Sequence, residues 1–306
     1  METLAKPRLL VIGGTGFIGH HLLNAAQKKG WQLTSVSLKI PPNARCVKNV
    51  RYLHFDLCES LVVKKNLSED FDYVVNLCGY IDHQLFRDGG RQLIDTHFFA
   101  LQNLLEVLPR RNLKRFVQIG SSDEYGNAPA PQHEDIRENP ISPYSLAKVA
   151  STHFLQMLHR TENFPAVTLR LFLTYGPGQD STRFLPQIIR GCLDDAAFQT
   201  SAGDQLRDFC YVGDTVLAIL QALVVPEAEG KVINIASGNP ISIRTIIDKV
   251  CDLTGSGKPK YGEIPYRPGE NMALYANISN AKKILHWEST IRLEKGLLKT
   301  IDWFGK

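Results

Sequence analysis

The chain has 306 residues, of which 43% are hydrophobic and 22% are charged, and its formal net charge at pH 7 is +4. That length allows one large domain plus a smaller lobe, and the absence of long basic runs argues against nucleic acid or an anionic membrane as the main partner. No apolar stretch reaches membrane-spanning length and no signal peptide is visible, so we expect a cytoplasmic protein without a membrane partner. The six cysteines show no paired CxxC spacing, which predicts reduced thiols and no metal site.

The first motif reads as a strand, a glycine turn and a helix between Arg8 and Lys29. Leu9–Ile12 is a short apolar run, typical of a strand that is buried on both faces. The turn that follows is formed by Gly13, Thr15, Gly16, Phe17, Ile18 and Gly19, with Gly14 between the first two. Without Cβ atoms, such a turn brings the backbone close to a pyrophosphate, which would bind at the helix N-terminus. An ordinary tight turn without a ligand is the alternative.

The end of the second predicted strand, Leu33–Leu38, bears on which dinucleotide is bound. A Rossmann site for NAD usually carries an acidic residue there, about 20 residues after the glycines, to hold the ribose 2′-hydroxyl. This chain instead has Ser37 and Lys39, a hydroxyl and a cation that suit a 2′-phosphate. The sequence therefore favours NADP(H) over NAD(H), against the alternative that both residues are ordinary surface positions.

Strands and helices continue to alternate, which predicts an α/β fold with a doubly wound parallel sheet. The third strand, Arg51–Phe55, ends at Asp56 and Leu57, which either reach the adenine ring or form the N-cap of the next helix. A fourth strand, Tyr73–Leu77, ends at Leu77 and is followed by Cys78 and Gly79, where the nicotinamide side of a cofactor would pass.

A long helix over 91–108 and a fifth strand over 116–119 complete the first half of the chain. The fifth strand leads into Ser121, Ser122 and Asp123, at the sheet edge where open α/β proteins keep their ligands. Tyr144 and Lys148 follow on a helix that runs to about Thr161, and their spacing of four places them on one helix face. An ammonium beside a phenol stabilises phenolate, so Tyr144 is a candidate proton donor and acceptor. A surface pair without function is the alternative.

These motifs resemble the extended short-chain dehydrogenases/reductases of the NAD-dependent epimerase/dehydratase group. The matching features are Gly13 to Gly19, Asp56-Leu57, Ser121, Tyr125-Gly126, Tyr144, Lys148, Arg170, Tyr175 to Gln179, Gly203, Arg207 to Phe209, Tyr211-Val212, Asp214 and Arg267 to Glu270. The resemblance implies an NAD(P)-binding domain over about 1–170, to which some later segments return, and a nucleotide-sugar-binding lobe mainly over 171–306. It also implies that Ser121 hydrogen-bonds the reacting oxygen, that Tyr144 moves its proton, and that Lys148 tunes Tyr144 and binds ribose.

The resemblance points to a nucleotide-diphosphate sugar as substrate and to residues that would bind it. Arg183, Arg207 and Arg267 are candidate ligands of the diphosphate, with Arg267 the best placed in a Pro-Gly loop, and Phe184 and Leu185 would wall the base. Ser122 and Asp123 would contact the sugar. Homodimerisation through the helices at 91–108 and 142–161 resembles the family habit, although their apolar stripes also suit an internal core.

Two positions depart from the family pattern, and the turn after the fifth strand bears on the reaction. Leu173 replaces an Asn that contacts the sugar phosphate in many members, and His97 replaces an Asn that supports the region of the lysine. Dehydratases carry an acid and a base where this chain has Ser122 and Asp123, with Asp123 a candidate shortened base. The turn, the short chain and the segment Leu173 to Gln179 resemble reductases of nucleotide-linked 4-keto-6-deoxyhexoses more than dehydratases. A 4-epimerase or 4,6-dehydratase with a retained cofactor is the alternative, and a non-catalytic cofactor-binding regulator is the remote one.

Overall fold

A computed structural model describes residues 6–42, 45–267 and 269–305. Pro268, in the predicted Arg267–Glu270 loop, lies outside the described residues. The chain divides into two compact units. Unit 1 comprises Met1–Gly126, Arg137–Arg170 and Ala218–Ile233, and unit 2 comprises Asn127–Ile136, Leu171–Leu217 and Asn234–Lys306.

The main sheet has seven strands: β1 Arg8–Ile12, β2 Gln32–Ser37, β3 Val50–His54, β4 Tyr73–Asn76, β5 Arg115–Ser121, β6 Ala166–Leu171 and β10 Val232–Ile235. Their order across the sheet is β10-β6-β5-β4-β1-β2-β3. The pairs from β3 through β2, β1 and β4 to β5 are all parallel. This confirms the predicted doubly wound sheet, and the winding direction reverses between β1 and β4, where such folds bind ligands.

Helices cover this sheet because their apolar stripes bury against it. They are α1 Phe17–Lys28, α2 Ser60–Asn66, α3 Gly90–Ile94, α4 Ala100–Val107 and α5 Pro143–Glu162. The core between them contains Leu10, Val74, Leu101, Leu104 and Phe116, each no more than 1% exposed. The stripe predicted over 91–108 therefore packs internally through its leucines.

The predicted helix over 91–108 differs from expectation in one respect. Residues Asp95–Phe99 form a π-helical turn between α3 and α4. Such turns are rare and are frequently found at functional sites. This one carries His97, which is 4% exposed.

Unit 2 contains the remaining strands and most of the remaining helices. The strands are β7 Leu173–Tyr175, β8 Ala197–Thr200, β9 Leu206–Tyr211, β11 Pro240–Ser242, β12 Lys258–Tyr261 and β13 Ala273–Leu274. The helices are α6 Phe184–Leu193, α8 Ile243–Thr254, α9 Ser279–Leu285 and α10 Leu293–Phe304, while α7 Val212–Val224 runs from unit 2 into unit 1. Ser242 caps α8 by accepting the Thr245 N–H, as its position predicts.

Candidate active site

The glycine turn between β1 and α1 is built so that no side chain fits into it. A Cβ on Gly14 would lie 2.3 Å from Ser35 Oγ, and a Cβ on Gly19 would lie 2.3 Å from the Gly13 carbonyl oxygen. Gly13 has a φ of +79°. Only glycine fits all of these constraints, so α1 can pack directly against the turn.

The N-terminus of α1 begins at Gly16, which provides no side-chain cap. The first amide N–H groups of this helix therefore depend on partners other than a capping side chain, and the helix dipole favours an anion there. The turn and the helix end together fit the pyrophosphate of a dinucleotide. Phe17 and Ile18 form the first helical residues after it.

A hydroxyl and a cation contact this turn. The Ser37 hydroxyl accepts a hydrogen bond from the Thr15 N–H at 3.4 Å, and Lys39 is exposed two residues later. Arg45, which the sequence analysis did not single out, donates to the Thr15 carbonyl at 3.5 Å. No linear motif marks Arg45, because it reaches the turn from the irregular segment after β2.

At the end of β3, Asp56 does not cap the helix that follows. The Asp56 carboxylate accepts the Cys58 N–H at 2.8 Å, whereas the N-cap of α2 is Glu59, so the N-cap alternative was wrong. Asp56 is exposed and stays available to a ligand. Leu57 is 4% exposed and its side chain packs in the core.

The segment after β4 approaches both the glycine turn and the catalytic candidates. A Cβ on Gly13 would lie 3.1 Å from the Leu77 carbonyl oxygen, so the ends of β1 and β4 pack closely. Burial raises the pKa of the Cys78 thiol to about 11, which makes it a neutral, unreactive group. Gly79 has a φ of +113°, and a Cβ there would lie 1.8 Å from His97 Cε1.

Replacing Gly79 with Ala is therefore expected to destabilise the fold by about 2–4 kcal/mol, because it adds a steric clash to an unfavourable backbone conformation. The measurement is the free energy of unfolding from denaturant titration. Gly30 is the matched control, since its φ is +76° but nothing lies within 4 Å of a Cβ there. Equal losses for the two variants would contradict a role for contact with the His97 ring.

Ser121 ends β5 in a geometry that leaves its hydroxyl hydrogen available for donation. Ser121 Oγ accepts the Asp123 N–H at 3.1 Å, as the N-cap of a short 3-10 helix over Ser122–Tyr125. A serine hydroxyl that accepts one bond still donates its single hydrogen. Ser122 is 5% exposed, whereas Asp123 is only partly buried, with its Oδ2 3.8 Å from His83 Nε2. Asp123 is thus the more accessible of the two proposed sugar contacts.

Tyr144 and Lys148 project from the first turns of α5, whose start is fixed by the Ser142 capping box. Lys148 is 4% exposed, its Nζ donates to the Ile119 carbonyl at 2.8 Å, and the same Nζ lies 5.9 Å from the centre of the Tyr144 ring. Burial lowers the pKa of Lys148 to about 8, against the opposing attraction of Glu124. The ammonium and the phenol thus lie together, as their spacing predicts.

His97 is the one histidine of this cluster that is buried. Its Nε2 lies 2.9 Å from the Tyr80 carbonyl and must carry the proton, and its ring packs edge-on against Tyr144 with centroids 5.0 Å apart. Within the described residues its Nδ1 is buried without a partner. Burial, with Lys148 nearby, lowers the pKa of His97 to about 3, so it is neutral. The residue that replaces the family's Asn is therefore a neutral imidazole packed against Tyr144.

In unit 2, the residues proposed to contact the diphosphate and the base differ in how far they are buried. Leu185 is 3% exposed and packs in the core of unit 2, whereas Phe184 is partly buried at the start of α6. Arg207 is 8% exposed and pairs with Glu270. Arg183 is partly buried at the N-terminus of α6, and Arg267 is exposed.

The family model for the NAD dependent epimerase/dehydratase family matches residues 9–236 of this chain. A Bacillus subtilis protein named uncharacterized UDP-glucose epimerase YtcB is 27% identical, over 97% of this chain and 98% of that protein. The dTDP-glucose 4,6-dehydratase 1 of Escherichia coli K12 is also 27% identical, over 97% of this chain and 92% of that protein. Among solved structures, the UDP-glucuronic acid 4-epimerase of Bacillus cereus, in complex with UDP-glucuronic acid and NAD, is 26% identical with a TM-score of 0.85, covering 97% of this chain and 98% of that one.

The resemblance read from the motifs is confirmed by these comparisons, in which the family model covers residues 9–236 and the relatives cover 97% of the chain. No helix in the described ranges is long and apolar enough to cross a membrane. The chain belongs to the NAD dependent epimerase/dehydratase family.

Proposed function

We propose that this protein transfers hydride to or from C4 of a nucleotide-diphosphate hexose, with Ser121, Tyr144 and Lys148 as its catalytic residues. The observation that carries the proposal is that the buried Lys148 ammonium lies beside the buried Tyr144 phenol and donates to the Ile119 carbonyl, two residues before the available Ser121 hydroxyl. Bound NAD(P)H supplies the hydride. The glycine turn, the start of α1 and Lys148 would hold this cofactor.

The chain's own residues stabilise the C4 oxygen and transfer its proton. The Ser121 hydroxyl donates a hydrogen bond to the C4 oxygen, which gains negative charge as hydride arrives, and keeps its own proton. Tyr144 passes its phenolic proton to the same oxygen, and the neighbouring Lys148 ammonium stabilises the phenolate that remains. The reverse sequence oxidises a C4 alcohol. Neither direction requires a metal ion or a second acid.

Net reduction of a 4-keto-6-deoxyhexose with NADPH is the first candidate reaction. Ser122 stands where dehydratases carry an acid, and the site needs no further acid for ketone reduction. The end of β2 carries Ser37 and Lys39 without an acidic residue, and Arg45 adds a second cation near the glycine turn. These groups suit the 2′-phosphate of NADP(H).

Epimerisation at C4 with a retained NAD is the second candidate, and the comparisons favour it. The B. cereus relative is a 4-epimerase that was solved with NAD and a UDP-sugar. An epimerase uses the same three residues, first as base and then as acid, within one turnover. The direct assay is nicotinamide absorbance over time with a panel of dTDP-, GDP-, CDP- and UDP-linked sugars and 4-ketosugars. Stoichiometric NADPH loss identifies the reductase, whereas sugar conversion without net cofactor loss identifies the epimerase or dehydratase.

The cofactor preference can be tested apart from turnover. Replacing Lys39 and Arg45 together with Ala is expected to raise the dissociation constant for NADPH by about 10-fold or more, because two charge-assisted contacts are lost. Binding of NADH should change little. The measurement is cofactor fluorescence titration, with Lys48→Ala as a control on an exposed lysine in the same segment. Equal weakening for NADPH and NADH would contradict the 2′-phosphate assignment.

We also propose a homodimer through α4 and α5. Phe99, Leu146 and Met157 lie on these helices or the adjoining π-helical turn and are 48%, 49% and 36% exposed. Exposed large apolar residues on neighbouring helices favour a second copy of the chain as partner. Sedimentation velocity measures the mass directly, and a monomer at micromolar concentration would contradict this proposal.

A further inference from the structure

Glu124 is a fully buried carboxylate directly behind Ser121. Its Oε1 accepts the Ser121 N–H at 2.8 Å, and its Oε2 accepts hydrogen bonds from Thr152 Oγ1 and Arg170 Nε, both at 2.9 Å. Both Glu124 and Arg170 have side chains with 0% exposure. A buried charge is tolerated only where it is paired and hydrogen-bonded, and Glu124 meets this condition through three donors.

Arg170 ties this carboxylate to a second one. The Arg170 Nη2 donates to Glu138 Oε1 at 2.5 Å, and its guanidinium lies 4.7 Å from the centre of the Tyr125 ring. Glu138 has 16% side-chain exposure and, among the described residues, makes no hydrogen bond to Ser121. The two glutamates therefore share one arginine, but only Glu124 reaches the turn that carries the serine.

The backbone is shaped to admit this carboxylate. A Cβ on Gly120 would lie 2.5 Å from Glu124 Oε1, so a side chain at position 120 would push the carboxylate away from the Ser121 N–H. The same interaction forms the reciprocal half of the Ser121 capping box, whose other half is the Asp123 N–H on Ser121 Oγ. Both the backbone and the hydroxyl of Ser121 are thus fixed by its own turn.

Glu124 also acts on Lys148 through charge, since Lys148 Nζ is held on the Ile119 carbonyl, only two residues before the Ser121 N–H that Glu124 accepts. Among the charged groups near Lys148, Glu124 makes the largest contribution that opposes the effect of burial on the pKa of this lysine. The titratable groups that face Lys148 come from the turn after β5, the end of β4, the π-helical turn and α5: Glu124, Asp123, Cys78, His97 and Tyr144.

We propose that Glu124 is a positioning residue for the reaction, which fixes the Ser121 turn by hydrogen bonding and keeps Lys148 positively charged. This inference rests on the proposed function. Glu124 touches neither the sugar nor the cofactor in this role and acts through Ser121 and Lys148. Arg170 neutralises part of its charge and holds its second oxygen, which leaves the first oxygen directed at the Ser121 N–H.

The test compares E124Q with E138Q. Each removes one carboxylate from Arg170, but only E124Q removes the charge from behind Ser121. We expect E124Q to lower kcat by about 10-fold or more with little change in KM for the sugar. Without the negative charge of Glu124, the pKa of Lys148 should fall further. The alkaline limb of the pH–rate profile should therefore move to lower pH. E138Q should keep both kcat and the position of this limb close to those of the wild type.

A second variant, E124D, distinguishes the hydrogen bond to the Ser121 N–H from the charge near Lys148. It also keeps the proposal testable if E124Q does not fold. E124D keeps the charge but is one methylene shorter, so kcat should fall while the alkaline limb stays in place. The Lys148 titration is followed independently by NMR of ¹⁵N-lysine-labelled protein without substrate, with K148M to assign the signal. A Lys148 pKa that is lower in E124Q but unchanged in E138Q supports the inference even if the substrate assignment fails. Wild-type kcat in both E124Q and E124D, or the same Lys148 pKa in E124Q and the wild type, overturns it.

Discussion

Replacing Tyr144 with Phe is expected to lower kcat by about 10²- to 10⁴-fold, the range for loss of a positioned general acid. Tyr144 is 4% exposed and its ring packs against His97, contacts that Phe preserves. The cofactor dissociation constant and the free energy of unfolding should therefore stay close to those of the wild type. The measurements are steady-state rates, cofactor titration and denaturant unfolding on the same preparations.

The control for Tyr144→Phe is Tyr73→Phe, which alters a partly buried phenol at the start of β4, the opposite end of that strand from Cys78 and the proposed catalytic residues. Turnover of Tyr144→Phe at the wild-type rate would remove Tyr144 from the mechanism. A similar loss in both variants would indicate a general packing effect instead.

Replacing Lys148 with Met is expected to have opposite effects on activity and on stability. Activity should fall by about 10²-fold or more, because the phenolate of Tyr144 loses its neighbouring charge, and cofactor binding should weaken. The free energy of unfolding at pH 7 should rise, since the buried ammonium, whose pKa falls from 10.5 to about 8, carries a desolvation cost. That shift corresponds to at most about 3 kcal/mol.

The difference in the free energy of unfolding between Lys148→Met and the wild type should depend on pH. The folded wild type releases the Lys148 proton near pH 8, whereas the unfolded chain keeps it up to about its ordinary pKa of 10.5. Below pH 8 the cost of the buried charge is present in full, and it is relieved as pH rises from 8 to 10.5. The stability gain of Lys148→Met should therefore be largest near neutrality and shrink above pH 8. The Ile119 carbonyl still accepts from Gln118 at 3.3 Å, so its loss of the lysine is partly compensated. A variant less stable than the wild type at pH 7 would contradict this account.

The sequence predicted those features that depend on local spacing. The glycine turn, the start of α5 and the pairing of Tyr144 with Lys148 follow from neighbours within a few residues, and each lies where the pattern placed it. The parallel sheet follows from the alternation of strands and helices. Ser121 was located because it lies at the end of a strand.

Features that depend on contacts between distant segments were missed or misassigned. The Glu124–Arg170 pair joins residues 46 apart in the chain, and Arg45 meets Thr15 across 30 residues. The π-helical turn around His97 left no mark in the apolar periodicity. The packing of Leu57 and Leu185 in hydrophobic cores, each proposed as a ligand contact from its place in a motif, is likewise revealed only by the folded arrangement.

The central claim is hydride transfer at C4 of a nucleotide-linked hexose, and isotope transfer measures it most directly. The protein is incubated with NADPH or NADH deuterated at nicotinamide C4 and with a panel of nucleotide-linked 4-ketosugars, and the products are analysed by mass spectrometry and ¹H NMR. We predict deuterium at C4 of one sugar product, at a rate that Tyr144→Phe lowers sharply. Both a reductase and an epimerase in its reduced form give this label, and repeated turnover then distinguishes them. Absence of deuterium from C4 of every sugar, with the cofactor shown to bind, would contradict the account.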